Sequence, residues 1–348
     1  MNKQVNSGCP TLGWLIPAAA ITAMVLTTAW LLVPHTGYTA PPPVTQFVSN
    51  WFLLMTILGA FWFTFRTFTM FVRRVPSPIR VFINGGREHA RQVAVVVFGF
   101  LLTGAIQLGF NWVKPQLAIL FPFWADPMLA AWDHALFGAD PWQPLRAMLG
   151  DGVQALDYVY SLWYPVTLFA LFGVLLRQRQ QAILAYFMLW GVFGTVTQAL
   201  FSAAGPIFWG RIGLGHRFDA LVADLPMGTR GASDYLWMNH TMKINDIAVG
   251  ISAMPSMHVA MACWIAIAYA RTRFAVFGLA YWALVLLGSV ALGWHYFIDG
   301  LVGTVGAFTC FWLAGLVVNL PRPRFARGVA PATDDANAAG GCPAPSGA

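Results

Sequence analysis

Two short segments of the sequence combine residue types that can carry out phosphoryl chemistry. The first is Ser252-Ala-Met-Pro-Ser-Met-His258, and the second is His295-Tyr-Phe-Ile-Asp299. Both lie at the ends of strongly apolar stretches, where an ionisable side chain is energetically costly and usually serves a function. Two histidines and one carboxylate in this setting predict phosphoryl transfer through a histidine.

The spacing of the second segment assigns roles to these side chains. His295 and Asp299 are four residues apart, so they share one face if a helix begins near His295. A carboxylate that accepts a hydrogen bond from one ring nitrogen fixes the tautomer and leaves the other nitrogen free to attack. We therefore predict His295 as the nucleophile and Asp299 as its orienting partner. His258 then protonates the leaving oxygen and deprotonates the acceptor in the second step.

The residues before His258 predict a place for the phosphate. Pro-Ser-Met puts Ser256 and unpaired backbone N–H groups at a helix N-terminus, which suits an anion. This scheme requires no metal and no cofactor. The four cysteines form no CxxC pair, so the sequence contains no zinc or redox motif. A single histidine at a helix end is usually interfacial, but two such sites on one membrane face favour function.

Composition predicts that an all-α, polytopic membrane protein positions these residues. The 348 residues are 58% hydrophobic and only 9% charged, whereas soluble domains have roughly a quarter charged residues. Apolar runs of about 18 residues or more predict about eight transmembrane helices. We expect them at residues 12–33, 47–72, 92–110, 153–176, 182–203, 249–270, 274–294 and 300–319.

The distribution of basic residues predicts the orientation in the membrane. The net charge of +7 comes from arginines and lysines spread through loops, a pattern of membrane orientation and not of nucleic-acid binding. The basic loops 73–91, 177–179 and 271–273 are expected in the cytoplasm, with both termini. The long connections 111–152 and 204–248 then lie outside, on the same face as the two histidines and the aspartate.

The same reading divides the chain into three parts. Residues 1–91 are expected to form two N-terminal helices and a basic cytoplasmic loop. Residues 92–320 are expected to form the catalytic membrane domain. Residues 321–348, rich in proline, alanine and glycine, are predicted to be a disordered cytoplasmic tail.

The histidine motifs resemble those of a known family. Pro255-Ser-Met-His258, with Gly293-Trp-His-Tyr-Phe-Ile-Asp-Gly300, is similar to the second and third motifs of the type 2 phosphatidic acid phosphatase (PAP2) superfamily. Those motifs are commonly Pro-Ser-Gly-His and Ser-Arg-x5-His-x3-Asp. Here Met257 replaces the glycine, Ser289 stands where the arginine is expected, and no clean Lys-x6-Arg-Pro first motif is found.

These departures make the chain similar to one branch of that superfamily, the inositol phosphorylceramide and sphingomyelin synthases. Ala204-Gly-Pro-Ile-Phe-Trp209 resembles a Pro/Trp-rich element of that branch, and Asp133-His-Ala-Leu-Phe-Gly-Ala-Asp-Pro141 resembles its first outer loop. The resemblance covers about residues 92–318 and implies a six-helix core with two extra helices in front.

The resemblance implies the same roles for His295, Asp299 and His258. Because the arginine expected at position 289 is absent, other cations must bind the phosphate. Arg211 and Lys243, in the loop before the sixth predicted span, are the candidates beside Ser256.

Three functions remain open. The first is a lipid phosphotransferase that moves a phosphorylated headgroup through a phosphohistidine at the outer membrane face. The second is a lipid phosphate phosphatase, of the phosphatidate or polyprenyl phosphate or diphosphate type, that uses water as acceptor. The third is a non-catalytic transporter or scaffold, which the intact histidines and aspartate disfavour. The expected partners are a phospholipid or lipid phosphate and the bilayer, in a bacterial inner membrane with the site facing the periplasm; no oligomeric state is predicted.

Overall fold

The computed structural model describes residues 12–38 and 44–320, and these residues fold into helices joined by loops. None of the described residues lies in a β-strand. The predicted disordered tail, 321–348, lies outside the described residues.

The α-helices of the described residues are numbered here in chain order. They are α1 (Leu15–Thr36), α2 (Val44–Val72), α3 (Pro78–Glu88), α4 (Ala90–Leu120), α5 (Asp126–Phe137), α6 (Trp142–Leu149), α7 (Gly152–Ser161), α8 (Trp163–Leu176), α9 (Gln180–Met188), α10 (Thr195–Leu200), α11 (Asp219–Ala223), α12 (Met227–Met242), α13 (Met257–Tyr269), α14 (Ala275–Ala291) and α15 (Phe297–Asn319). A π-helical segment, Leu189–Gly194, joins α9 to α10.

The helices confirm an all-α polytopic membrane protein. Among the described residues, five helical segments are long and apolar enough to cross a bilayer: α1, α2, α4, the continuous segment Gln180–Leu200, and α15. A sixth crossing results if α7 and α8, which are bent by 43° relative to each other, count as one span. The two other predicted spans correspond to α13 and α14, which are apolar but have only 13 and 17 residues.

Two predicted boundaries differ from the structure by eight residues or more. Helix α4 continues to Leu120, ten residues past the expected end, with Pro115 inside it. Helix α13 begins at Met257 and not at residue 249. The helix begins late because Ser256 is its N-cap, while Pro255 before it has no backbone N–H to continue a helix.

Helix α13 lies at the centre of the bundle and defines its two ends. It packs against both α14 and α15. His258 is in its first turn, and at its other end Arg179 donates a hydrogen bond to the carbonyl of Ala268. Arg177 lies over the ring of Tyr269 at the same place. We call these the histidine end and the basic end of the bundle.

The two long connections pack on the histidine end. Side chains from α5, from α11 and the loop before it, and from the N-cap of α15 form one buried apolar cluster there, which includes Leu129, Trp209, Phe218, Leu221 and Tyr296. Arg146 of α6 is buried beside it and donates to the carbonyl of Ala291, the last residue of α14. The connections are therefore folded structure that covers the site.

Labelling of single cysteines tests whether the two ends face opposite sides of the membrane. We expect Gly231→Cys, exposed on α12, to react with an impermeant maleimide in intact cells. Ala270→Cys, exposed just after α13, should react only after permeabilisation, because basic loops stay in the cytoplasm.

The background for this experiment is the chain with Cys9 and Cys342 replaced by serine. Cys263 and Cys310 are buried and should stay unlabelled. Labelling of both engineered positions from the same side would contradict the topology.

Candidate active site

The start of helix α13 presents His258. The hydroxyl oxygen of Ser256 accepts a hydrogen bond from the backbone N–H of Val259 (3.4 Å), so Ser256 caps the helix. The backbone N–H of Ser256 donates to the carbonyl of Asp299 (3.2 Å). A Cβ on Gly303 would lie only 2.6 Å from the carbonyl oxygen of Ser256, so a glycine is needed for α13 and α15 to approach this closely. The two predicted segments therefore lie side by side.

The start of helix α15 fixes His295 and Asp299. Tyr296 is the N-cap, and a carboxylate oxygen of Asp299 accepts a hydrogen bond from its backbone N–H (2.9 Å). This is the reciprocal arrangement of a capping box. Asp299 is completely buried, and its other oxygen, Oδ1, accepts no hydrogen bond from the described residues.

The ring of His295 is held by a backbone carbonyl. Its Nδ1 lies 2.7 Å from the carbonyl oxygen of Ala253 and 3.6 Å from Oδ2 of Asp299. The sequence predicts Asp299 as the hydrogen-bond acceptor, but the structure gives that place to Ala253. The bond from the N–H of Tyr296 to Oδ2 holds the Asp299 carboxylate in a position 3.6 Å from Nδ1.

This contact determines the tautomer of His295. A carbonyl oxygen only accepts hydrogen bonds, so Nδ1 carries the proton in the neutral ring and Nε2 is left with a lone pair. The carboxylate of Asp299, 3.6 Å from Nδ1, is near enough to stabilise positive charge on the ring. Orientation and charge stabilisation thus come from two different groups.

The second histidine faces the first across a short distance. The ring centres of His258 and His295 are 5.9 Å apart, with an angle of 58° between their planes. His258 is stacked on Tyr160, with ring centres 4.7 Å apart, and it also contacts Trp163. These aromatic rings hold the His258 imidazole in place without occupying its nitrogens. The separation is short enough for both rings to contact one phosphoryl group.

The predicted phosphate-binding residues are only partly brought together. Ser256 is buried beside the carbonyl of Asp299. The guanidinium of Arg211 pairs with Asp234 and lies over the ring of Trp237. The ammonium group of Lys243 lies beside Gly37, at the end of α1. Ser289, in place of the arginine of the third motif, bonds within its own helix to the carbonyl of Leu286.

Lys114 is a cation near the site that the sequence reading missed. It lies on α4, and a Cβ on Gly250, in the segment before α13, would lie 3.1 Å from its Cγ. Among the described residues, no carboxylate lies within 4.0 Å of its ammonium group. The signal that could have found it is a lone lysine in an apolar helix. Because the third span was predicted to end at residue 110, Lys114 was assigned to a loop.

Two buried carboxylates of α5, those of Asp126 and Asp133, also lie at the histidine end. Asp126 and Asp133 are 0% and 2% exposed. Burial raises the pKa of Asp126 to about 6 and the pKa of Asp133 to about 6. Backbone N–H groups that donate to both carboxylates oppose this rise. Within the described part of the chain, no group of three or more His, Cys, Asp or Glu is arranged to hold a metal ion.

A family model of the PAP2 superfamily matches residues 129–313, more than half of the chain. The chain belongs to the PAP2 superfamily. The PAP2 match begins in α5 and ends in α15, so it includes His258, His295 and Asp299 but not Lys114. No curated protein and no solved structure matches the chain. PAP2 members are generally phosphatases or phosphotransferases.

The raised pKa values of Asp126 and Asp133 predict a pH dependence of stability. Both carboxyls bind protons more tightly in the folded state than in the unfolded state, where the pKa is near 3.8. Their contribution to stability is therefore complete below about pH 4 and is lost as the pH rises through about 6, by an order of magnitude of 1–3 kcal/mol each.

Thermal unfolding in detergent between pH 4.5 and 7.5 measures this dependence. The melting temperature of the wild type should fall more steeply with rising pH than that of Asp126→Asn or Asp133→Asn. Parallel curves for wild type and variants would contradict the assignment.

Proposed function

We propose that the chain is a metal-independent lipid phosphotransferase that moves a phosphorylated headgroup through a phosphohistidine on His295. The observation that supports this best is the pair of imidazoles 5.9 Å apart, one of which has Nδ1 bonded to a carbonyl. That arrangement provides a nucleophilic nitrogen and an acid–base group on either side of one phosphoryl group.

The first step forms the phosphohistidine. The lone pair of Nε2 of His295 forms a bond to phosphorus while the bond from phosphorus to the leaving oxygen breaks. His258 gives its proton to that oxygen, and the donor lipid leaves as an alcohol. The carboxylate of Asp299 stabilises the positive charge that develops on the His295 ring.

The second step regenerates the histidine. His258, now neutral, takes the proton of an acceptor hydroxyl, whose oxygen forms a new bond to phosphorus as the phosphorus–nitrogen bond breaks. An alcohol on a second lipid gives a transferase, and water gives a phosphatase with the same residues. The absence of the third-motif arginine and the likeness to inositol phosphorylceramide and sphingomyelin synthases support the transferase, with a sphingolipid acceptor.

A cationic group must offset the charge of the bound phosphate in this apolar site. We propose Lys114 for this role, together with the Ser256 hydroxyl, because Lys114 packs against the segment before α13 and has no carboxylate partner among the described residues. Arg211 and Lys243 remain candidates for binding the rest of the headgroup. The basic loops at the opposite end support a site that faces the periplasm of a bacterial inner membrane.

The direct test is turnover by the purified protein in nanodiscs with radiolabelled phosphatidic acid, phosphatidylinositol and phosphatidylcholine, with and without ceramide or diacylglycerol. A transferase should yield a new labelled lipid that depends on the acceptor, whereas a phosphatase should yield free phosphate or headgroup phosphate. His295→Ala and His258→Ala should each lose about 10³-fold or more in rate.

His216→Ala is the matched control for these variants, because His216 is exposed and pairs only with Asp219 among the described contacts. Its rate should equal that of the wild type. Near-normal turnover by His295→Ala would reject the mechanism, and inhibition by EDTA that a divalent ion reverses would reject metal independence.

Replacement of Asp299 separates charge from orientation. Asn keeps an oxygen that can accept the N–H of Tyr296, and the carbonyl of Ala253 still fixes the tautomer. Asp299→Asn should therefore lower kcat about 10- to 100-fold with KM nearly unchanged, because only the stabilising charge is lost. A large rise in KM at unchanged kcat would instead assign Asp299 to lipid binding.

Lys114 is tested by comparison with the other candidate cations. Lys114→Met should reduce kcat/KM by about 10²-fold or more, and Lys114→Arg should recover part of it, because the positive charge returns. Lys243→Met, at the other candidate lysine, is compared with it in the same assay. A larger loss in Lys243→Met than in Lys114→Met would move the phosphate ligand to Lys243.

A further inference from the structure

Helix α5 carries two buried carboxylates, Asp126 and Asp133, whose partners are backbone N–H groups and, for Asp126, also the hydroxyl of Tyr296. Asp126 and Asp133 are seven residues apart and lie on the same side of the helix. Neither has an Arg, Lys or His nitrogen within 4.0 Å among the described residues. Burial of an unpaired carboxylate is unfavourable, so the hydrogen bonds that each one accepts must define its role.

Asp133 holds the first turn of α15. Its two carboxylate oxygens accept hydrogen bonds from the backbone N–H groups of Phe297 (2.7 Å) and Ile298 (3.1 Å). These N–H groups have no partner within the helix, because they belong to its first turn. Phe297 and Ile298 lie between His295 and Asp299, so Asp133 fixes the backbone that carries both side chains.

Asp126 holds the same segment from the other side. Its Oδ1 accepts the hydroxyl proton of Tyr296 (2.9 Å), the residue next to His295. Its carboxylate also accepts the backbone N–H groups of Ala204 and Gly205, each at 2.8 Å. Gly205 has a φ of +99°, and a Cβ there would lie 2.5 Å from the carbonyl oxygen of Trp294, so this loop lies directly against the residue before His295.

A short chain of hydrogen bonds links this loop to the His295 ring. The carbonyl of Ala203 accepts the backbone N–H of Ala253 (2.7 Å). The carbonyl of Ala253 in turn accepts the Nδ1–H of His295 (2.7 Å). Asp126 thus holds the loop at residues 203–205. This loop positions the carbonyl of Ala253, which determines the tautomer of His295.

We propose that Asp126 and Asp133 are positioning residues for phosphoryl transfer, which set the orientation of the His295 imidazole through the backbone on both sides of it. The inference rests on the proposed function of His295 as nucleophile. It gives α5 a role in the reaction, although Asp126 and Asp133 lie outside both histidine motifs.

Substitution by asparagine tests this role with little change in size. An amide has only one acceptor oxygen, so its NH₂ group would face a backbone N–H donor and push the segment out of place. A displacement on the order of 1 Å lowers rates about 10²-fold. We therefore expect Asp126→Asn and Asp133→Asn to lower kcat 10- to 100-fold, with KM within about threefold of the wild type.

The pH profile is a readout that a purely structural role would not move. The charged groups that face Asp133 are Asp140, Asp299 and Arg217. The titratable groups that face Asp126 are the neutral hydroxyl of Tyr296 and the carboxyl of Asp299. Protonation of either carboxyl below about pH 6 removes an acceptor, so the wild-type kcat should fall on the acid side. The acid limb should be shallower in each asparagine variant, whose amide does not titrate.

The experiment measures kcat, KM and the pH profile with phosphatidic acid and phosphatidylinositol as donor probes, for the wild type and the variants. Asp219→Asn, an exposed aspartate paired with His216, is the matched control and should leave kcat unchanged. Tyr296→Phe removes only one hydroxyl from the Asp126 group and should lower kcat about threefold to tenfold.

The outcomes separate the two proposals. If the wild type turns over no donor, the proposed function fails. If the wild type is active and both asparagine variants keep kcat and the acid limb, the positioning role is overturned. If an asparagine variant does not fold, as judged by gel filtration and melting temperature, Tyr296→Phe decides, and an unchanged kcat in that variant overturns the role.

Discussion

The hydrogen bond from Nδ1–H of His295 to the carbonyl of Ala253 is the contact on which the candidate site depends. It joins two segments that are 42 residues apart in the chain, and it leaves Nε2 as the nitrogen with a lone pair. A carbonyl is a neutral acceptor, so the His295 ring is oriented without a full negative charge on the atom that accepts its Nδ1–H. The carboxylate of Asp299, 3.6 Å away, then acts on the charge of the ring rather than on its orientation.

The membrane setting explains why so much structure surrounds this one contact. Lipid offers no hydrogen bonds, so polar groups at the ends of short helices must find partners within the protein. Helices α13 and α15 begin inside the fold, and their first N–H groups are met by Ser256, Asp299 and Asp133. The first long connection provides Asp133, and both connections enclose the histidine end within apolar clusters. The same features that stabilise the fold therefore define the site.

Much of the fold could be predicted from the sequence because its signals are local. Apolar run length indicated the helical spans, and the i, i+4 spacing of His295 and Asp299 predicted a helix that begins near His295; α15 begins at Phe297, two residues later. The start of α13 was predicted eight residues early, since apolar composition alone does not register the cap at Ser256. The end of α4 was predicted ten residues too early. Lys114 was therefore assigned to a loop and not to the helix.

Other parts of the site have no sequence signature. A backbone carbonyl such as that of Ala253 accepts a hydrogen bond whatever its side chain is, so only coordinates reveal it. Most partners of Asp126 and Asp133 are likewise backbone N–H groups more than 70 residues away in the chain; the other is the hydroxyl of Tyr296. The family match places the chain among PAP2 proteins, but the branch and substrates rest on the chemistry of individual residues.

The position of the phosphoryl group on His295 tests the account most directly. The wild type would be incubated with ³²P-labelled donor lipid, quenched in alkali and digested, and the phosphohistidine isomer would be identified by chromatography against both standards. We expect the Nε2-phosphorylated isomer at residue 295, because Nδ1 is hydrogen-bonded to the carbonyl of Ala253. Phosphate on Nδ1, or on His258 in place of His295, would contradict it.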